Sequence, residues 1–213
     1  MQGYIQKLIE QGEHQQLDFK FEISDSQKIA RSLVAFANTD GGRLLIGVKD
    51  NGVIAGVRSE EEYYMVEAAA KMYTKPEVPF TCKEWHANEK TVLEIIIPKS
   101  EMSPHFAKTK EDKWLVYIRV NDQNFLANSI LLKVWQRQKE TAGVYLKYSL
   151  TEKLLLQFLT EHSEVTLSKI CKDLGIYRKK TEKILIDLIL LKIVEMRFAE
   201  NGIWYKLSQN QSV

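Results

Sequence analysis

The sequence has very little of the chemistry that cross-links small secreted proteins. It contains only two cysteines among 213 residues, Cys82 and Cys171, which lie far apart and have no CxxC or Cys/His spacing. This pattern indicates neither a disulfide framework nor a structural zinc site. A reducing, cytoplasmic compartment is therefore expected.

Long apolar runs are also missing. No apolar run approaches the 18 residues that a membrane-spanning helix needs, and charges interrupt every short apolar stretch of residues 1–14. We therefore predict neither a membrane span nor a signal peptide.

The common enzyme signatures are absent as well. The four histidines have no HxxxH or HExxH spacing, and neither a GxSxG nor a GxxxxGKS/T element occurs. These absences leave zinc-enzyme, serine-hydrolase and P-loop ATPase interpretations without support, so no cofactor is expected.

Charge is nearly balanced over the whole chain, with a formal net charge of +2. Residues 1–150 hold 20 basic and 20 acidic residues, and residues 151–213 hold 10 and 8. A nucleic-acid hypothesis must therefore depend on local clustering rather than on total charge.

The sequence pattern of residues 1–140 predicts an α+β domain with a mixed sheet and flanking helices. Apolar periodicity after Asp25 predicts a helix over Ser26–Asn38, and a glycine-flanked apolar run predicts a buried strand over Arg43–Val48. Asn51-Gly52 then predicts a hairpin with a second strand. The further elements are a helix at 60–72, strands at 80–85, 91–97 and 114–120, and a helix at 128–139 that closes the domain.

Residues 151–213 predict a second, small domain after a linker at 141–150. A helix capped by Thr151 is followed by helices over Leu167–Leu174 and Tyr177–Leu191, and then by strands at 193–198 and 202–207 around an Asn-Gly turn. Three helices followed by a hairpin is the order of a winged helix-turn-helix domain.

Three motifs follow one another near the start of the chain: EHQQLDFK over Glu13–Lys20, AFANTDGG over Ala35–Gly42, and LIGVKDNG over Leu45–Gly52, the last leading to IAGV. This series resembles the Schlafen/AlbA-2 family. Asp18 stands where glutamate is commoner in that family. Later elements, Ser103-Pro104-His105 and Tyr117–Val120, extend the resemblance over about the first 130 residues. It implies a mixed-sheet α+β fold and a DNA-binding transcriptional regulator.

The turn after the first predicted helix has two interpretations. Asn38, Thr39, Gly41 and Gly42 are residues that cap a helix and reverse the chain. As a glycine-rich turn they could instead bind a nucleotide or small ligand, which would make the protein a sensor. The turn interpretation is favoured.

Three acids support an enzymatic alternative. Certain relatives of the resembled family use acids matching Glu13, Asp18 and Asp50 as a metal-dependent RNA-cleaving site, in which Mg²⁺ or Mn²⁺ would polarise a phosphodiester. Because fold resemblance does not transfer chemistry, turn and surface roles for these acids are favoured.

The basic cluster of the second domain supports the main hypothesis. Basic residues at the start of its recognition helix would contact phosphates and groove edges of DNA, or of RNA, and basic residues on its wing would reach an adjacent groove. The alternative is a solvated face that contacts proteins. The residues of the helix are Tyr177, Arg178, Lys179, Lys180 and Lys183, and those of the wing are Arg197 and Lys206. The first domain would add nucleic-acid contact or oligomerisation, and a homodimer is expected because many such regulators read two half-sites.

Overall fold

The structure, a computed structural model, describes residues 3–87, 89–140, 143 and 148–208. Its chain forms two compact units, Met1–Ala127 and Asn128–Val213. Both α-helices and a mixed sheet are present, which confirms the predicted α+β class. Among the described residues, no helix is both long enough and apolar enough to cross a bilayer.

The first unit contains three helices and nine strands among its described residues. They are, in chain order, α1 (Tyr4–Ile9), β1 (Leu17–Lys20), α2 (Ser26–Asn38), β2 (Gly42–Ile46), α3 (Glu61–Tyr73), β3 (Thr74–Lys75), β4 (Thr81–Ala87), β5 (Lys90–Ile97), β6 (Phe106–Lys108), β7 (Trp114–Leu115), β8 (Tyr117–Val120) and β9 (Gln123–Leu126).

The main sheet of this unit has the strand order β1-β2-β5-β4. β1 runs parallel to β2, and the other pairs are antiparallel. Side chains alternate along β2, so Leu44 and Ile46 pack in the core with α2 and α3, whereas Leu45 packs on the opposite face with α1. The sheet is thus covered on both faces, which explains why β2 is an apolar run without polar alternation.

The predicted hairpin at Asn51-Gly52 is a turn without a second strand. The chain reverses there, but only Val48 and Ile54 form a bridge. Both edges of β2 are already occupied, by β1 and by β5, so the segment after the turn has no edge of β2 to join. The prediction of a second strand was wrong for this reason.

The second unit contains the elements α4 (Ser129–Gln138), α5 (Leu150–Glu161), β10 (Val165–Thr166), α6 (Leu167–Leu174), α7 (Arg178–Leu190), β11 (Val194–Ala199) and β12 (Gly202–Leu207). The three strands form an antiparallel sheet in the order β10-β12-β11. The three helices α5 to α7 and the final hairpin lie where the sequence predicts them.

Helix α4 differs from its prediction in its place rather than its existence. Ile130 and Val134 are buried in one core with residues of α5 and α7, so α4 belongs to the second unit instead of closing the first. Much of the predicted linker at 141–150 lies outside the described residues. The cap of α5 is Ser149, whose capping box with Glu152 replaces the predicted cap at Thr151.

Candidate nucleic-acid interface

The turn between α6 and α7 exposes the start of α7. Thr166 caps α6 by accepting a hydrogen bond from the Lys169 backbone N–H at 3.3 Å, and Gly175 ends α6 at φ +63°. Tyr177 then precedes α7 with 87% of its surface exposed. A large aromatic side chain at this position contributes little to the core, which leaves it free for contact.

Cations fill the first turn of α7. Arg178, Lys179 and Lys180 are all exposed, and no acid lies in this turn. The N-terminus of a helix carries a partial positive charge, so each cation there is unfavourable by about 0.3–1 kcal/mol. Helix stability therefore does not account for this cluster, whereas an anionic partner would be attracted both by the side chains and by the helix dipole.

The cations of α7 differ in whether they form hydrogen bonds or ion pairs with other side chains of the protein. Arg178 Nε donates to Glu182 Oε1 at 3.0 Å, and Lys180 Nζ donates to the Thr151 hydroxyl at 2.8 Å. Within the described part of the chain, Lys179 and Lys183 form no ion pair. These two lysines are the most available charges of the cluster.

The predicted wing residues are each held by an acid. Arg197 Nε donates to Glu164 Oε1 at 3.0 Å, and Lys206 Nζ lies 3.5 Å from Glu195 Oε2. To contact a phosphate, either side chain would have to leave or share its partner. Their role as nucleic-acid contacts stays a prediction.

The first unit uses its motif residues differently, beginning with Asn38. This buried side chain donates from Nδ2 to the carbonyl oxygens of His105 and Tyr117, at 2.9 and 3.0 Å, and accepts from the His105 N–H at 2.7 Å. Thr39 Oγ1 donates to Ala35 O at 2.7 Å and accepts from the Arg119 N–H at 2.9 Å. Both side chains join the end of α2 to later segments of the unit.

The two glycines of the same motif are required by close packing. Gly41 has φ +68°, and a Cβ built on it would lie 2.7 Å from Lys99 N. A Cβ on Gly42 would lie 2.5 Å from the ring of Phe36. The geometry of all four residues of the turn thus serves the fold, which favours the turn interpretation over the ligand interpretation.

Glu13 and Asp18 lie close together at the start of β1. Glu13 Oε1 accepts from the Phe19 N–H at 2.8 Å. Burial and a hydrogen bond shared with Asp18 raise the pKa of Glu13 to about 7. Asp18 is itself buried between two cations, with Lys20 Nζ at 2.8 Å and Arg119 at 3.3 Å. The pair is therefore one proton-sharing cluster, compensated by neighbouring charges.

Asp50 does not complete a metal site with this pair. It is exposed and lines a cleft of about 390 Å³ together with Phe19. Across the described ranges, no three His, Cys, Asp or Glu side chains are grouped so that they could hold a metal ion. The structure brings two of the three predicted acids together and leaves the third apart.

A second buried charge, Glu94 in β5, was not among the residues predicted from the sequence. Its carboxylate is fully buried and accepts from Tyr4 Oη at 2.8 Å and from Trp85 Nε1 at 2.9 Å. Arg43 Nε lies 2.9 Å away without the alignment of a hydrogen bond. An acid inside the apolar run of β5 was the sequence signal, since a buried carboxylate requires partners.

Comparison with known families gives one match over most of the first unit. The family described as Schlafen, AlbA_2 matches residues 13–128, which is more than half of the chain. The family described as PCI domain matches residues 124–201, a shorter share. No curated protein matches.

Two solved structures show limited similarity. The DIP2311 protein from Corynebacterium diphtheriae is 16% identical over 92% of this chain, with a TM-score of 0.44, and the match covers 34% of that protein. This chain thus spans about a third of its length. The N-terminal domain of an ATP-dependent DNA helicase RecG-related protein from Nitrosomonas europaea is 16% identical over 70% of this chain and 99% of that domain, with a TM-score of 0.41.

Proposed function

The chain belongs to the Schlafen, AlbA_2 family, and from the cations exposed at the start of α7 we propose that it is a DNA-binding transcriptional regulator. In this proposal the second unit is a winged helix-turn-helix domain that presents α7 to duplex DNA. The first unit adds nucleic-acid contact or oligomerisation, and a homodimer places two copies of α7 on two half-sites.

The element order of the second unit supports the winged-helix assignment. Helix α6, the turn at Gly175 and helix α7 form a helix-turn-helix, and the hairpin β11-β12 follows in a sheet with β10. In such domains the second helix of the motif contacts DNA mainly through its N-terminal residues. That is the part of α7 where the exposed cations lie.

One observation carries the proposal: three cations occupy the first turn of α7 with no acid among them. This arrangement is unfavourable for the isolated helix. Phosphates would reverse that penalty, because cations that neutralise phosphates release condensed counterions and so gain affinity at low salt. The two alternatives, a ligand sensor and a metal-dependent nuclease, have weaker support. The Asn38 side chain is used in hydrogen bonds within the first unit, and among the described residues the three acids are not grouped as metal ligands.

The proposal predicts salt-dependent duplex binding that is lost when α7 loses its charges. Replacing Lys179→Ala together with Lys180→Ala should weaken binding roughly tenfold to hundredfold and reduce the slope of log K against log salt by about 2. Anisotropy of a labelled duplex, titrated at several salt concentrations with the full chain, measures both quantities. The thermal midpoint should change little, because the loss of the exposed Lys180–Thr151 hydrogen bond offsets the removal of two unfavourable helix charges.

A matched control removes the same charge from the first unit. Lys28 and Lys83 are exposed and form no ion pair among the described residues. The Lys28→Ala, Lys83→Ala variant has the same net charge as the α7 variant and should keep most of the slope. Equal losses in both variants would show that affinity depends on total charge, and would contradict the proposal. Competition by duplex RNA in the same assay tests the preference for DNA.

A further inference from the structure

The second half of α7 is buried on every side. Five consecutive residues, Ile184 to Leu188, are buried. In a helix with one solvent face, consecutive residues cannot all be buried, because they point about 100° apart. Ile186 belongs to the same buried core as Ile184, Leu185 and Leu188, so a further element must cover the side of α7 that carries Ile186 and Asp187.

That element is α4, which is fixed to the second unit by several contacts. Ile130 and Val134 are 1% and 3% exposed in the shared core. Arg137 forms an ion pair with Asp187 of α7. At the start of α4, Asn128 caps the helix by accepting from the Leu131 N–H at 2.8 Å and donates to Tyr205 Oη at 3.2 Å.

Beside this contact, α4 and α7 enclose a groove of about 250 Å³. Ile186 is the apolar residue of its lining, and the other lining residues carry long polar side chains. The lining residues are Lys133, Gln136, Arg137, Glu140, Lys179 and Lys183, together with Ile186. At roughly 30 Å³ per water, the groove has room for a phosphate group and a few water molecules.

The charges around the groove are positive in excess. Lys179 and Lys183 are four residues apart on α7, a spacing at which like charges repel by about 0.2–0.5 kcal/mol. Lys133 approaches from α4, with 54% of its side chain exposed. It lies 3.7 Å from Glu182, which also accepts from Arg178, so one carboxylate serves two cations.

We propose that this groove binds a backbone phosphate of the nucleic acid, held by Lys133 of α4 and by Lys179 and Lys183 of α7. Gln136 supplies an amide N–H for the same oxygen atoms. The inference rests on the proposed function and extends it, because it makes α4 part of the interface. In this arrangement only residues 178–183 of α7 can contact the DNA, because α4 covers the outward side chains that follow them.

The test is the Lys133→Ala variant of the full chain, titrated with labelled duplex at several salt concentrations. The loss of one phosphate contact should reduce the slope of log K against log salt by about 1 and weaken binding about equally for different duplex sequences. Lys153→Ala is the matched control, because Lys153 is an exposed lysine of α5 in the same unit and outside the groove. It should leave the slope unchanged.

The outcomes separate this inference from the proposed function. If the wild-type chain binds and Lys133→Ala keeps the full slope, the phosphate site is wrong and the regulator proposal stands. If the wild-type chain shows no salt-dependent binding, both are wrong. A Lys133→Arg variant should keep the wild-type slope, which distinguishes loss of charge from disturbance of α4.

Discussion

The two units place their polar side chains in opposite ways. In the first unit, Asn38, Glu94 and Arg119 are 7%, 0% and 2% exposed, and each is bonded within the unit. In the second unit, the cations at the start of α7 stand in solvent beside Tyr177, which is 87% exposed. The motif that identifies the family is therefore mostly a set of folding contacts, and the less distinctive sequence carries the accessible charge.

This difference has a physical origin. A buried polar group costs free energy unless its hydrogen bonds are made, so its identity and position are tightly constrained and easily recognised in a sequence. An exposed lysine has no such constraint. Its contribution depends on neighbours that only the fold brings together, as Lys133 and Lys179 show.

The greatest loss of stability is expected at Gly41. Gly41→Ala should destabilise the protein by about 2–5 kcal/mol, from about 1–2 for the positive φ and about 1–3 for overlap with the backbone at Lys99. Gly12→Ala is the control, because Gly12 has φ +69° and nothing within 4 Å of the added Cβ. It should lose only about 1–2 kcal/mol in chemical denaturation. Equal losses would show that space around Gly41 does not matter.

A smaller loss is expected at Asn38. Asn38→Ala removes three hydrogen bonds to the backbone and leaves the His105 N–H buried without its acceptor, so the free energy of unfolding should fall by about 2–3 kcal/mol. Asn51→Ala, at an exposed turn with one such bond, should lose less than about 1 kcal/mol. Duplex affinity should be unaffected in both. A stable Asn38→Ala chain with altered ligand binding would instead support the sensor interpretation.

The smallest expected effect concerns the pH dependence of stability. The pKa of Glu13 is about 7 in the folded chain against an ordinary 4.5. The folded state therefore holds the proton more tightly, and stability should fall as pH rises from about 4.5 to 7. The contribution is on the order of 1 kcal/mol, since Glu13 is only partly buried and solvent screens it. Glu13→Gln should flatten this part of the curve in denaturation at pH 5 and pH 7, and an unchanged slope would contradict the raised pKa.

Local signals predicted every described helix except α1. Helix α2 begins and ends where the sequence predicts, because Asp25 accepts hydrogen bonds from the Gln27 and Lys28 N–H groups and the apolar periodicity stops at Asn38. Helix α6 likewise matches its predicted range. At α5 the sequence carries a Ser149-x-x-Glu152 capping box, whereas the predicted cap, Thr151, lies inside the helix.

Features that depend on tertiary pairing were harder to predict. The strand β1 is only four residues long and carries two charges, and its place in the sheet comes from pairing with β2. The assignment of α4 to the second unit depends on which core receives Ile130, and periodicity does not contain that information. For the same reason, the sequence located the basic cluster of α7 but not the groove that Lys133 completes.

Hydrogen exchange of the full chain, measured with and without a saturating DNA duplex, shows directly which unit presents the nucleic-acid interface. Bound duplex should slow exchange at residues 176–183, while amides around Asn38 and Gly41, already held within the first unit, should change little. Slower exchange at the turn after α2, with no change at the start of α7, would contradict the proposed function.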